Sequence, residues 1–162
     1  AYFPSNTNIS GTAQGRLRQA YATVTWKGTD ETAWNSISVK AGQAWHPMAA
    51  DHPHLFSLED GAPFGPFSRT PQILMDVNYD KIILSAAAIW QMQYQSNGPI
   101  GNSAMYMKYG MTPEVYAAVG YKEGNFLFRV GADLLSIKPR VLGKNAESKT
   151  IKVADRKTSL LF

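Results

Sequence analysis

The segment Pro71-Gln72-Ile73-Leu74-Met75-Asp76-Val77-Asn78-Tyr79 alternates two kinds of side chain. Successive side chains of a strand point to opposite faces. Ile73, Met75, Val77 and Tyr79 therefore share one oily face, and Gln72, Asp76 and Asn78 share a wet one. An oily face opposite a wet face, with an aromatic at the oily end, is the pattern of a membrane-spanning strand around a watery lumen.

The pattern recurs. In residues 14–26, Ala20, Ala22, Val24 and Trp26 oppose Gln19, Tyr21, Thr23 and Thr25. In 34–46, Ile37, Val39, Ala41 and Trp45 oppose Ser36, Ser38, Lys40, Gly42 and His46, with Gln43 interrupting the oily face. In 81–93, Ile82, Leu84, Ala86, Ala88, Trp90 and Met92 oppose Ser85, Ala87, Gln91 and Gln93. Ala86-Ala87-Ala88 favours helix by propensity, but the tight turn at 78–80 and the position of Trp90 argue for a strand. In 113–122, Val115, Ala117, Val119 and Tyr121 oppose Glu114, Tyr116, Ala118 and Gly120. Glu123-Gly124 is expected to turn the chain into 125–138, where Phe126, Phe128, Val130, Ala132 and Leu134 oppose Arg129, Gly131 and Asp133. Residues 157–162 read as a last strand, and Met105, Met107, Tyr109 and Met111 suggest a short strand inside the irregular stretch 94–112.

The connections alternate as well: short at 27–33, 79–81 and 123–124, long at 47–69, 94–112 and 139–156. Outer-membrane barrels have short periplasmic turns and longer external loops. The expected fold is thus all-β, an antiparallel transmembrane up-and-down β-barrel occupying the whole chain, 1–162, as one domain, with about seven or eight strands present. The 47–69 loop, rich in Pro, Gly, His and Phe, is expected to be a long external or pore-constricting loop.

Composition narrows the function. Charged residues are 17% of the 162, below the usual quarter, and cysteine is absent. A net charge of +4 with no Lys/Arg run gives nucleic acid no footing. No stretch approaches the length of a transmembrane helix, about 18 apolar residues. The opening Ala1-Tyr2-Phe3-Pro4 has no signal-peptide pattern and reads as a mature or truncated start.

Arg16-Leu17-Arg18-Gln19-Ala20-Tyr21 resembles the Arg-x-Ala-Tyr strand of the phosphate-selective and related Gram-negative porins. Val39-Lys40-Ala41-Gly42-Gln43-Ala44-Trp45-His46-Pro47 resembles their Gly-Gln-x-x-x-Pro strand, and Arg69-Thr70-Pro71-Gln72 the strand after their long loop. Pro113-Glu114 with the following Val-Gly-Tyr is similar to the next hairpin. The similarity spans about residues 14–138. It implies a passive outer-membrane channel for small hydrophilic solutes or ions, commonly a homotrimer in outer-membrane lipids, and no enzyme. Such barrels have about 16 to 18 strands, so the chain reads either as a segment of one or as an eight-stranded barrel ending on Phe162. Two other readings stand beside it: a soluble all-β carbohydrate- or ligand-binding module with the faces inverted, and a non-channel structural barrel of the outer membrane.

A channel works through its lining, where charged rings set which ions enter. The candidates are Arg18 (or Arg16), Lys40 and Arg129 as cations and Asp76, Glu114 and Asp133 as anions. The constriction loop offers His52, His54, Phe56, Phe64, Phe67 and Arg69. Asp51-His52-Pro53-His54, near His46, lacks a fixed third ligand, so neither a metal nor another cofactor is expected. Nothing in the chain sets up a nucleophile or a carboxylate pair for catalysis.

Overall fold

The structure, a computed structural model, describes residues 17–50, 68–91, 95–99, 101–110, 113–155 and 157–161. Its strands are β1 (Ala20–Lys27), β2 (Ser36–Trp45), β3 (Arg69–Tyr79), β4 (Ile82–Ile89), β5 (Ser96–Gly98), β6 (Gly101–Ser103), β7 (Glu114–Glu123), β8 (Phe126–Ile137), β9 (Leu142–Lys144), β10 (Thr150–Lys152) and β11 (Lys157–Leu161). One helix, α1 (Met105–Gly110), precedes β7, and a 3-10 turn, Pro47–Ala50, follows β2.

The protein is mostly antiparallel β. Seven strands form one sheet in the order β1-β2-β3-β4-β7-β8-β11, and every neighbouring pair is antiparallel. The chain thus runs up and down. Its long connections lie at one end of the sheet and its shorter turns at the other. β5–β6 and β9–β10 are small hairpins within two of the long connections. Among the described residues, no pairing joins β1 to β11.

Register aligns the oily positions into rows across the sheet. One row is Ala22, Ala41, Ile73, Ala88, Val115, Leu134 and Leu160. The next is Val24, Val39, Met75, Ala86, Ala117 and Ala132, followed by Trp26, Ile37, Val77, Leu84, Val119 and Val130. Nearest the short turns stand Tyr79, Ile82, Tyr121 and Phe128. These rows face outward: Ile73, Val119 and Val130 are 51%, 55% and 58% exposed. The opposite face holds the buried residues, among them Thr70, Gln72, Ser85, Glu114 and Asp133. This inverts the usual distribution, in which charged residues are almost never fully buried unless paired.

The interior of the sheet is small and mixed. Leu74, Ala87, Ile89, Tyr116 and Ala118 form the apolar cluster, and Met48 of the 3-10 turn packs onto it. Gly131 makes room for this packing, since a Cβ there would stand 3.2 Å from Tyr116 Cε2 and 3.0 Å from Ala118 Cβ. Gly120 does the same for its cross-strand partner Arg129, whose Nε would lie 3.3 Å from an added Cβ.

Several boundaries differ from expectation. β1 begins at Ala20, and the start expected at Gln14 lies outside the described residues. The Ala-rich β4 is a strand, because pairing with β3 and β7 on both sides outweighs helix propensity. The β7–β8 turn is Gly124-Asn125, since Glu123 is already paired with Phe126; Gly124 takes the left-handed conformation (φ +55) that suits glycine. Residues 105–110 are a helix, whereas the methionine alternation suggests a strand. Tyr106, Met107 and Gly110 form its buried stripe; Tyr106 Oη donates to the Gly101 carbonyl at 2.7 Å, and the Ser103 hydroxyl accepts from the Met105 N–H at 3.1 Å. A strand would point Tyr106 away from Met107 and lose that stripe.

At the short-turn end, Lys81 binds Glu123, which also accepts from Tyr121 Oη at 2.6 Å. The Glu123 contact raises the Lys81 ammonium above its ordinary value. The pair is exposed, so it is screened by solvent.

Candidate functional site on the inner face

The inner face is also built in rows. Lys27, Ser36, Asn78, Ile83, Gly120 and Arg129 form the row nearest the short turns. Next come Thr25, Ser38, Asp76, Ser85, Ala118 and Gly131, then Thr23, Lys40, Leu74, Ala87, Tyr116 and Asp133. Polar neighbours pair within these rows. Ser85 Oγ donates to Asp76 Oδ1 at 2.6 Å, and Asn78 Nδ2 donates to Ser36 Oγ at 2.9 Å. Such cross-strand pairs each contribute roughly 0.2–1 kcal/mol.

Lys40, Asp76 and Arg129 are half-buried on this face. Lys40 Nζ sits 5.1 Å from the centre of the Tyr21 ring, and Arg69 stacks its guanidinium 4.6 Å from that of Trp45. Arg18 precedes β1 with an exposed side chain, and its carbonyl accepts from Gln43 Nε2 at 3.2 Å. His52, His54, Phe56, Phe64 and Phe67, like Arg16, lie outside the described residues.

Glu114 and Asp133 also lie on the inner face, but they are 5% and 4% exposed, under the base of the long β2–β3 connection. There they meet His46, itself 2% exposed. His46 Nε2 stands 3.2 Å from Asp133 Oδ2 and 3.8 Å from Glu114 Oε1. The Met48 N–H donates to His46 Nδ1 at 3.2 Å, Gln91 Nε2 donates to Glu114 Oε2 at 3.3 Å, and the Tyr116 ring meets the imidazole edge-on at 5.7 Å. The connection closes just above, where the His46 N–H donates to the Ser68 carbonyl at 2.9 Å.

This contact measures the curvature of the sheet. β2 and β8 are four strand spacings apart, about 19 Å along the sheet. Two side chains of about 4–5 Å each, plus the 3.2 Å gap, span far less. The sheet must therefore curl toward its inner face. Strand parity had put Glu114, Asp133 and His46 on one face; it had not brought them together, because curvature has no signature in alternation. Gln91 and Tyr116 were missed as members for the same reason.

The inner face thus presents the half-buried charges of Lys40, Asp76 and Arg129, and at its long-connection end His46 meets Glu114 and Asp133. No family model matches the chain, and neither do any curated protein or solved structure.

Proposed function

We propose that the chain forms wall of an outer-membrane channel through which small hydrophilic solutes or ions diffuse passively. The observation that carries this reading is the inverted sheet: rows of exposed apolar side chains outside, buried and half-buried polar ones inside. A soluble protein rarely exposes so broad an apolar surface, whereas lipid covers it without cost. β2, β3 and β7 have 10, 11 and 10 residues, in keeping with the roughly 9–11 that a tilted strand needs to cross a bilayer. Trp26, Tyr79, Tyr121 and Phe128 crowd the short-turn end of the outer face, which suits an interfacial girdle.

Backbone groups left free in lipid cost several kcal/mol each. Among the described residues the outer edges of β1 and β11 are unpaired, and in a bilayer they would require further pairing, either by closure or by additional strands. The additional strands of a larger porin-like wall meet that demand, and such a wall, commonly one of a homotrimer, agrees with the motifs in residues 16–47. In this reading Lys40, Asp76 and Arg129 line the path, while Glu114 and Asp133 anchor the loop through His46.

Purified protein in detergent should migrate differently before and after heating, and should conduct in planar bilayers. A chain that stays soluble and monomeric without detergent overturns the membrane reading; a heat-modifiable barrel without conductance leaves a structural role. Lys40→Glu and Arg129→Glu should each shift the reversal potential toward cation preference in a KCl gradient. An unchanged potential in both removes these side chains from the path.

A further inference from the structure

We propose that His46, Glu114 and Asp133 form a binding site for a divalent transition-metal ion of the zinc type. One potential ligand atom from each lies within 4.8 Å of the others, and all three residues are buried. A tetrahedral ion with ligands at about 2.0–2.1 Å has edges of about 3.3–3.4 Å by the same geometry. The observed 3.2 and 3.8 Å from Nε2 to the two carboxylates bracket that edge. His46 Nε2, the atom that faces both carboxylates, has no hydrogen-bond partner although the residue is more than nine-tenths buried. Ionised together, the two carboxylates would carry two formal negative charges, and holding ionised groups out of water costs several kcal/mol each. A divalent ion between them would cancel that charge.

The donor set selects the ion. One imidazole with two carboxylates suits zinc and its neighbours, while magnesium and calcium prefer oxygen alone. Gln91, bonded to Glu114 Oε2, orients one carboxylate from outside. Three protein ligands leave a fourth position open to water. Loading has one local consequence. An ion on Nε2 requires the ring proton on Nδ1, which now accepts the Met48 N–H. The metal bond therefore replaces that hydrogen bond, and occupation of the site loosens the base of the β2–β3 connection. The site does not depend on the channel reading.

The test titrates the full chain, folded in detergent and stripped with chelator, with zinc chloride in a calorimeter. The expected result is one zinc per chain, a zinc-edge absorption spectrum with one imidazole and oxygen donors, and faster amide exchange at Met48 on loading. Asp133→Asn and Glu114→Gln should each weaken binding at least tenfold. No uptake, uptake unchanged in both variants, or uptake lost in a His52→Ala/His54→Ala variant overturns the site. Should the carboxylate variants fail to fold, as read by far-UV circular dichroism, the wild-type spectrum decides: zinc without imidazole nitrogen refutes the proposal.

Discussion

Met75→Arg should destabilise the protein folded in a bilayer by about 2–4 kcal/mol, the range for a cation on the lipid face near mid-depth. Met75 stands in the second outer row, between Val39 and Ala86, and is 44% exposed. Its Arg replacement would have to hold a guanidinium in hydrocarbon or reach toward the headgroups past Ile73 or Val77. In water the same substitution sits on an open surface, where changes usually stay within about 0.5 kcal/mol. The sign and size therefore separate the two environments with one variant. Urea unfolding from lipid vesicles measures it directly. Ser38→Ala, on the inner face beside Asp76, provides the matched control and should cost less than the arginine. An arginine variant as stable as wild type in vesicles would mean that the outer rows do not meet lipid, and the channel reading would fall with it.

How much of this was legible in the sequence follows from which physics is local. Parity within a strand is local, so the faces of 71–79 and 113–122 were readable from the alternation alone. The long and short connections were readable because turn residues and proline leave composition marks. What was not local was not readable. The β7–β8 turn shifted by one residue because register, set by pairing from Val115–Leu134 to Glu123–Phe126, decides which residues remain for the turn. Residues 105–110 alternate like a strand, yet the burial of Tyr106 beside Met107 selects a helix. The cluster of His46, Glu114 and Asp133 depends on the sheet's curl. His46 was visible as the last residue of a wet face and as a neighbour of the His52-Pro53-His54 cluster, and its partners come from strands more than sixty residues away in the chain. A histidine at a strand end followed by proline was the available signal, and it did not name the carboxylates.

Gly42→Ala should cost on the order of 3 kcal/mol or more and free β1 from the sheet. Gly42 lies inside β2 at φ +130, a conformation that side-chain-bearing residues rarely adopt. Strain alone accounts for about 1–3 kcal/mol. A Cβ would also stand 2.3 Å from the Ala20 carbonyl and 2.7 Å from Tyr21 Cα. Both are backbone atoms of the paired strand, so no rotamer change relieves the overlap. Either β2 flattens at residue 42 or the Tyr21–Gly42 pair opens. β1 pairs only with β2 among the described residues, so opening that pair leaves it little to hold it. Gly124→Ala isolates the conformational part, because Gly124 is also left-handed but an added Cβ there meets nothing within 4 Å. Its cost should stay near 1 kcal/mol. The difference between the two variants reports the backbone collision. Trypsin should cut after Lys27 far faster in the Gly42 variant than in the Gly124 variant, with thermal unfolding lowered in the same order. Equal protection of Lys27 in both would mean that β1 is held by something other than its pairing with β2.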